Sequence, residues 1–421
     1  MELAQSNAMA ESSLRILMLA TYFPKPGNPL MGTWALDQAQ ALARAGAQIR
    51  VISLTPWIPR WPGQRRGIRA YSTCPAEAEW GDLVVQYPRW LNYPMVGFGA
   101  LYRRNPERWL RLAWVGCHRQ VCHLTDAWRP NIIFAHHTCV NGWVAEQLCA
   151  RSHLPFFCQD HAIWEVADYC TLFAAYRRTY QRIASKATAM LGVSQRMAAD
   201  IRAVAPNARV EVLHNGANLA DSGATILPGS LRPPVLFSAG MLVGWKGFDI
   251  LIRAWATLCG RFSDARLRIA GDGPERQRLL DLCASLGVTS SVSLLGYLPQ
   301  KEVHAEMAAA RAFVLASWRE TFAVVFFEAA AAGTPLIWSS NAGNAEVFVN
   351  GTHGLSTEPH SVATTAAAIE YMLTNPEQAA RMGAAAQQLV RDHFTWDAVA
   401  KQAIGLFSAA VPSAAQPRKL R

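Results

Sequence analysis

Two glutamates eight residues apart frame the most chemically loaded segment of this chain, Ser317 to Phe348 (SWRETFAVVFFEAAAAGTPLIWSSNAGNAEVF). Glu320 stands before an apolar run, Glu328 stands inside it, and the run closes in Ala-Ala-Ala-Ala-Gly, the composition of a helix end. A helix beginning near Phe322 puts Glu328 two turns in, about 9 Å along the axis, with Glu320 in the preceding loop. Between the two acids lie the free backbone N–H groups of a helix start, which favour a diphosphate. A ligand carrying a sugar on one side of a diphosphate and a ribose on the other matches that layout. Glu320 would then hold sugar hydroxyls and Glu328 ribose hydroxyls. Two solvated glutamates beside a packed helix are the alternative, but the middle of an apolar run is a poor place for a solvated acid.

Other reactive residues carry less. Cys117-His118 and Cys122-His123 invite a metal, but a five-residue step turns a helix by roughly 500°, so the pairs do not share a face. No Cys-x-x-Cys exists elsewhere in the chain to complete a zinc site. Ordinary helix packing accounts for them, and His136-His137 with Cys139 read the same way, so no metal is expected. Nine cysteines, an odd number, argue against a disulfide framework and for a reducing compartment.

The elements that must position the acids alternate. Across 421 residues, 51% hydrophobic and 17% charged, a sizeable core is possible and wholesale disorder is not. Strands are expected at Leu14 to Ala20, Gln48 to Leu54, Leu83 to Tyr87, Ile132 to Ala135, Pro155 to Gln159, Ala187 to Gly192 and Arg209 to Leu213. Helices such as Thr33 to Ala45 lie between most of them. After the Gly/Pro/Ser-rich stretch Ala217 to Pro234, a second series begins with strand Val235 to Ala239. It runs through strands Arg266 to Ala270, Ser291 to Leu295, Ala312 to Ala316 and Pro335 to Ser339, then turns helical from Ser361 nearly to Val411. Such alternation implies α/β sheets covered on both faces, with ligands at the carboxyl ends of the strands. No apolar window reaches 18 residues, so a spanning helix is excluded. Ile16 to Phe23 reads as a first buried strand, since no basic segment precedes it and no small-residue cleavage site follows.

With these elements placed, the segment Glu320-x7-Glu328 resembles that of the retaining family 4 glycosyltransferases. Further motifs follow in that family's order: Gly32-Thr33 after the first strand, Asp160-His161 after a later strand, and His214-Asn215-Gly216-Ala217-Asn218. Then come Gly240-Met241-Leu242-Val243-Gly244-Trp245-Lys246-Gly247, Ile269-Ala270-Gly271-Asp272-Gly273-Pro274 and Leu295-Gly296. The likeness spans roughly residues 14 to 395. It implies the GT-B fold, two doubly wound Rossmann-like domains facing across a cleft. Residues 1–13 would be a flexible N-terminus, 14–216 the acceptor domain, 217–234 the linker and 235–395 the nucleotide-sugar donor domain. Residues 396–411 would be a helix packing back on the first domain, and 412–421 a basic tail. The implied reaction moves a sugar from a nucleotide diphosphate sugar to a hydroxyl, with retention, no cofactor and no required metal. Lys246 would pair the diphosphate, as a compact cation facing the charge that develops on the leaving oxygens. His161 would meet a donor hydroxyl near the reacting carbon, which makes His161, Lys246 and Glu320 the catalytic candidates. Donor-binding candidates are Gly32, Thr33, Asn215, Gly240, Met241, Lys246, Gly271, Gly273, Glu320, Thr321, Phe322, Ala323 and Glu328.

The chain departs from the family pattern at three of these positions. Met241 stands where an arginine is usual, and a lost cation is worth about 1.5–3 kcal/mol of phosphate binding unless another base, such as Arg319, replaces it. Thr321 and Ala323 stand where glycine is favoured, and Ala323 is expected to accept helical dihedrals at little cost.

The acceptor is read from charge. Of the net +10, residues 1–220 carry 23 basic and 14 acidic side chains and the remainder 17 and 16. The stretches Trp57 to Tyr71 and Pro88 to Trp114 mix Arg with Trp and Tyr. Such mixtures suit an anionic membrane surface, or else a solvated basic face over packed aromatics. No nucleic-acid motif accompanies the bases. A carbohydrate or lipid-linked sugar acceptor in surface polysaccharide synthesis is expected, with a cytoplasmic protein peripheral at the inner face of the cell membrane. The alternatives are a non-catalytic nucleotide-sugar binder and an epimerase or phosphorylase of the same fold. A nicotinamide oxidoreductase is disfavoured because no G-x-G-x-x-G follows the first strand.

Overall fold

A computed structural model describes residues 14–60, 66–91, 102–219 and 231–411. The expected N-terminal segment 1–13 and tail 412–421 lie outside the described residues. So do 220–230 of the expected linker and 61–65 and 92–101 of the two basic aromatic stretches.

The chain divides into two compact units after His214 and again after Thr395, so the last helix joins the first unit. In the first unit, Arg15–Leu19 (RILML) is buried from Ile16 onward, as a strand covered on both sides must be. It pairs in parallel with Gln48–Ile52 on one flank and Ile132–His136 on the other. The eight strands run in the order Val210–Val212, Ala189–Gly192, Phe156–Asp160, Ile132–His136, Arg15–Leu19, Gln48–Ile52, Leu83–Gln86, Glu77–Trp80. Glu77–Trp80 (EAEW) is antiparallel to its neighbour and only half-buried, in keeping with a sheet edge. The order reverses between Arg15–Leu19 and Ile132–His136, and at such a switch point the strand ends leave a crevice.

Helix Trp396–Ser408 closes this unit. Its buried positions Trp396, Val399, Ala400, Ala403 and Phe407 recur at helical spacing. Phe407 packs on Phe134 and Phe157 of the sheet, and Arg44 pairs with Asp397 at 2.7 Å. Burying Trp396 and Phe407 contributes about 2–3 kcal/mol each.

The second unit holds a six-stranded parallel sheet ordered Val292–Gly296, Arg266–Ala270, Val235–Ala239, Ala312–Leu315, Leu336–Ser339, Gly354–Thr357. Its switch point lies between Val235–Ala239 and Ala312–Leu315. The loops leaving those two strands are Gly240–Gly247 and Ala316–Ala323, the two that carry Lys246 and Glu320. Among the described residues, no helix is long and apolar enough to cross a membrane. The stretch after Ser361, expected as nearly continuous helix, is three helices: Val362–Thr374, Pro376–His393 and Trp396–Ser408. Pro376 starts the second because its missing N–H has no partner to lose there.

The described part of the two basic aromatic stretches splits by burial. Trp90 is in the core, and Tyr102 and Trp114 pack against it, while Trp57 is exposed. Pro106–Val115 is a helix, capped by the Asn105 side chain.

Candidate functional site

Glu320 precedes the eight-residue helix Val324–Ala331, and Glu328 lies inside it. The helix starts two residues later than the spacing implied, because Ala323 adopts φ 57°, ψ 67°, the left-handed region, instead of helical dihedrals. An alanine there is strained by about 1–2 kcal/mol, so this departure from glycine is not the mild change expected from sequence. Glu328 therefore lies about 6 Å beyond the helix start. Among the described residues no side chain caps that start; the Phe326 N–H donates to the Ala323 carbonyl at 3.0 Å, which leaves the Val324 and Val325 N–H groups as those that would meet an anion.

Phe322 differs from the expectation for a donor-binding side chain. It is 1% exposed and stacks on Phe327 with centroids 4.2 Å apart, which leaves only its backbone for a ligand. Thr321 and Glu320 are backed by Gly343, a residue to which sequence reasoning gave no role. A Cβ on Gly343 would fall 1.9 Å from the Thr321 carbonyl oxygen, and its N–H donates to the Glu320 carbonyl at 3.1 Å. The close approach of these loops demands glycine, and nothing local in the sequence announces it.

The Glu320 carboxylate is buried and has partners. Lys246 Nζ lies 2.5 Å from Oε1, and Ser317 Oγ lies 2.8 Å from the same oxygen. Lys246 ends a single 3-10 turn, Gly244–Lys246, which a left-handed Gly247 terminates. The Trp318 N–H donates to the Trp245 carbonyl at 3.2 Å, tying this turn to the Glu320 loop. The strand-end glycines stand behind it: Gly240 N donates to Ala270 O, and Gly271 N to Gly296 O. Beside Gly273, Leu242 N donates to Asp272 O at 3.0 Å. Met241 is 60% exposed, and Arg319, named as its substitute, is half-buried next to Glu320 in the chain. Asn215, the first residue of this unit, is buried, and its Oδ1 has no hydrogen-bond partner among the described residues. Glu328 turns to another helix, Gln300–Ala309, where Gln300 Nε2 is 3.5 Å and His304 Nε2 3.9 Å from its Oε1.

The first unit collects different chemistry at its switch point. Gly32 has φ 70° and precedes helix Thr33–Arg44, with Thr33 half-buried as its first residue. A Cβ on Gly32 would meet the Tyr22 carbonyl oxygen at 2.3 Å, so the chain itself requires glycine here. His161 follows strand Phe156–Asp160 and is not alone. His136 Nδ1 and His161 Nε2 are 2.9 Å apart, and Trp34 covers the His161 ring at a centroid distance of 4.0 Å. Burial, then the neighbouring histidines, holds His161 and His136 well below the usual imidazole range, so both are neutral at pH 7. One ring of the pair therefore donates and the other accepts. His161 Nδ1 and His136 Nε2 have no hydrogen-bond partner among the described residues.

His137 behaves oppositely. Burial pulls its pKa down, but Glu165, 3.2 Å from Nδ1, outweighs this and raises it. Asp160, adjacent to His161, accepts from Thr138 N and Oγ1 and from Tyr180 Oη at 2.6 Å, and thereby fixes the strand end. His136 and His137 were visible in the sequence only as a dismissed metal pair. Their signal was parallel pairing: His136 lies in register with Gln159, two residues before His161. Among the described residues no three metal-ligating side chains converge.

Both units match known proteins. Residues 31–221 match the model of "Glycosyltransferase Family 4" and residues 228–389 that of "Glycosyl transferases group 1". The glycogen synthase of Mycobacterium tuberculosis is 28% identical over 419 residues, covering 96% of this chain and 97% of that protein. The GDP-mannose-dependent alpha-(1-6)-phosphatidylinositol monomannoside mannosyltransferase of Mycolicibacterium smegmatis is 26% identical, covering 85% and 91%. Among solved structures, the sucrose-phosphate synthase of Thermosynechococcus elongatus superposes with a TM-score of 0.72 at 20% identity, covering 94% of this chain and 98% of that one. With two Rossmann-like parallel sheets and both halves of the sequence matched, the chain belongs to the family 4 glycosyltransferases of GT-B fold.

Proposed function

We propose that this glycosyltransferase takes a nucleoside diphosphate sugar as donor and transfers its sugar, with retention, to a hydroxyl of a lipid-linked carbohydrate. One observation carries the reading: a lysine–glutamate pair, Lys246 with Glu320, sits before an uncapped helix start that has Glu328 one turn further on. In the transfer, the bond from the anomeric carbon to the diphosphate oxygen breaks. The acceptor oxygen bonds to that carbon on the same face, and its proton passes to the departing diphosphate. Lys246 and the helix-start N–H groups meet the charge growing on the leaving oxygens, a task for which no metal is needed. Glu320, freed from Lys246 by the diphosphate, accepts hydrogen bonds from donor hydroxyls, and Glu328 accepts those of the ribose. In the first unit, the family resemblance assigns His161 to a donor hydroxyl, and its Nδ1 has no hydrogen-bond partner among the described residues.

The lipid-linked acceptor is supported by the basic excess of residues 1–220 and by the mannosyltransferase relative, whose name gives a phosphatidylinositol monomannoside as its acceptor. The test is an NMR assay with nucleotide sugars and lipid-linked glycan acceptors, run with and without EDTA. Retention shows as an unchanged anomeric configuration; inversion, or activity abolished by EDTA, refutes that part. Sedimentation with anionic lipid vesicles should weaken with salt, and no binding at low salt refutes the cytoplasmic, membrane-peripheral placement. The second reading is a nucleotide-sugar binder without transfer, favoured by the exposed Met241 and the neutralised Lys246. It predicts donor binding with no product on any acceptor.

A further inference from the structure

Glu328 is the acid assigned above to the ribose, and what holds it is unfinished. Gln300 and His304 are four residues apart on helix Gln300–Ala309, so they share one face, and both turn a nitrogen toward Glu328 Oε1. Gln300 Nε2 is at 3.5 Å, the outer limit of a hydrogen bond, and His304 Nε2 at 3.9 Å lies beyond one. His304 Nε2 is nonetheless buried, with no hydrogen-bond partner among the described residues. Its side chain is 11% exposed and that of Glu328 21%. The other acid near this face, Glu306, is bound by Arg268 at 2.6 and 2.8 Å, while Lys301 and Glu302 are exposed. A buried imidazole nitrogen with no hydrogen-bond partner among the described residues, about 1 Å short of a carboxylate that must be aimed, is a latent contact.

We propose that His304 is a positioning residue for Glu328. When a nucleoside diphosphate binds, the imidazole closes on Oε1 and donates its Nε2–H, which fixes the carboxylate and leaves Oε2 to the ribose hydroxyls. The inference rests on the ribose reading of Glu328 and adds the residue that orients it.

Calorimetry with UDP, GDP and inorganic pyrophosphate tests it on the full chain. His304→Ala should weaken the tightest nucleoside diphosphate about tenfold, the loss of one hydrogen bond to a charged group. Pyrophosphate, which has no ribose, should bind His304→Ala as it binds the parent. His304→Gln, which keeps an N–H at similar reach, should recover most of the affinity, and His304→Met, similar in bulk but without a donor, should not. In a Glu328→Ala background, His304→Ala should have no further effect. Should His304→Ala not fold, the Gln and Met variants carry the comparison. Unchanged nucleotide affinity in His304→Ala, with Glu328→Ala weakened, overturns the positioning role and leaves the ribose reading intact. Equal weakening of pyrophosphate and nucleotide overturns it as a general structural effect. Unchanged affinity in Glu328→Ala overturns the ribose reading and this inference together.

Discussion

Replacing Lys246 with methionine separates the two things the Lys246–Glu320 pair does. The side chains are 17% and 11% exposed, and Nζ is 2.5 Å from Oε1. Without the lysine, a largely buried carboxylate loses its cation and keeps the Ser317 hydroxyl at 2.8 Å. Removing one member of a buried pair costs about 3–5 kcal/mol, and the residual water access places this site near about 3 kcal/mol. Diphosphate affinity should fall as well, by about 1.5–3 kcal/mol or roughly 10- to 150-fold, because Met241 supplies no second cation. Urea unfolding and nucleoside diphosphate calorimetry read the two effects separately. Adding Glu320→Gln to Lys246→Met removes the stranded charge, so most of the stability should return while the affinity stays low. If affinity is unchanged in Lys246→Met, or returns with stability in the double variant, Lys246 is a structural cation and the phosphate assignment is wrong.

Gly32→Ala should lower the free energy of unfolding, read by urea denaturation, by more than the about 1–2 kcal/mol of a left-handed alanine, since its Cβ would lie 2.3 Å from the Tyr22 carbonyl; a neutral result contradicts the tight turn. Ala323→Gly should relieve about 1–2 kcal/mol of strain, offset by about 0.5–1 kcal/mol of added unfolded-chain entropy, giving a stability change between zero and about +1.5 kcal/mol; clear destabilisation refutes the left-handed conformation. His136 and His161 have folded pKa values well below 6.5, so the unfolded chain binds more protons between those values and 6.5. Their contribution is complete above pH 6.5 and is lost as pH falls below it, whereas the raised His137 acts in the opposite sense. Thermal unfolding should therefore show stability declining on acidification below pH 6.5, less steeply in His161→Gln; an identical slope in the variant refutes the neutral pair.

Much of the fold was legible because parallel strands buried on both faces leave unbroken apolar runs such as Arg15–Leu19, and helices between them keep their own period. The placement of Glu320 before a helix and of Glu328 inside it was legible too, since the apolar run VVFFEAAA marks the helix. The true helix start was not. Ala323 has no local reason to adopt φ 57°, and the conformation is imposed by packing, with Phe322 drawn onto Phe327. The histidine cluster was missed for a similar reason: Trp34, His136 and His161 are far apart in sequence and meet only because strand ends are neighbours in the sheet. His304 facing Glu328 depends on two helices packing side by side, which periodicity within either does not reveal. The two π-helical turns His137–Gly142 and Trp164–Tyr169, on either side of His161, also lack a sequence signature.

Catalysis by this chain depends, on the proposed reading, on a diphosphate bound at the start of the Val324–Ala331 helix with Lys246 released from Glu320 to meet it. A crystal structure of the chain with a nucleoside diphosphate sugar tests this most directly. Phosphate oxygens should lie within hydrogen-bond distance of Lys246 Nζ and the helix-start N–H groups, with the ribose on Glu328 and the Lys246–Glu320 pair opened. Phosphates bound elsewhere, with that pair still closed at 2.5 Å, would contradict it.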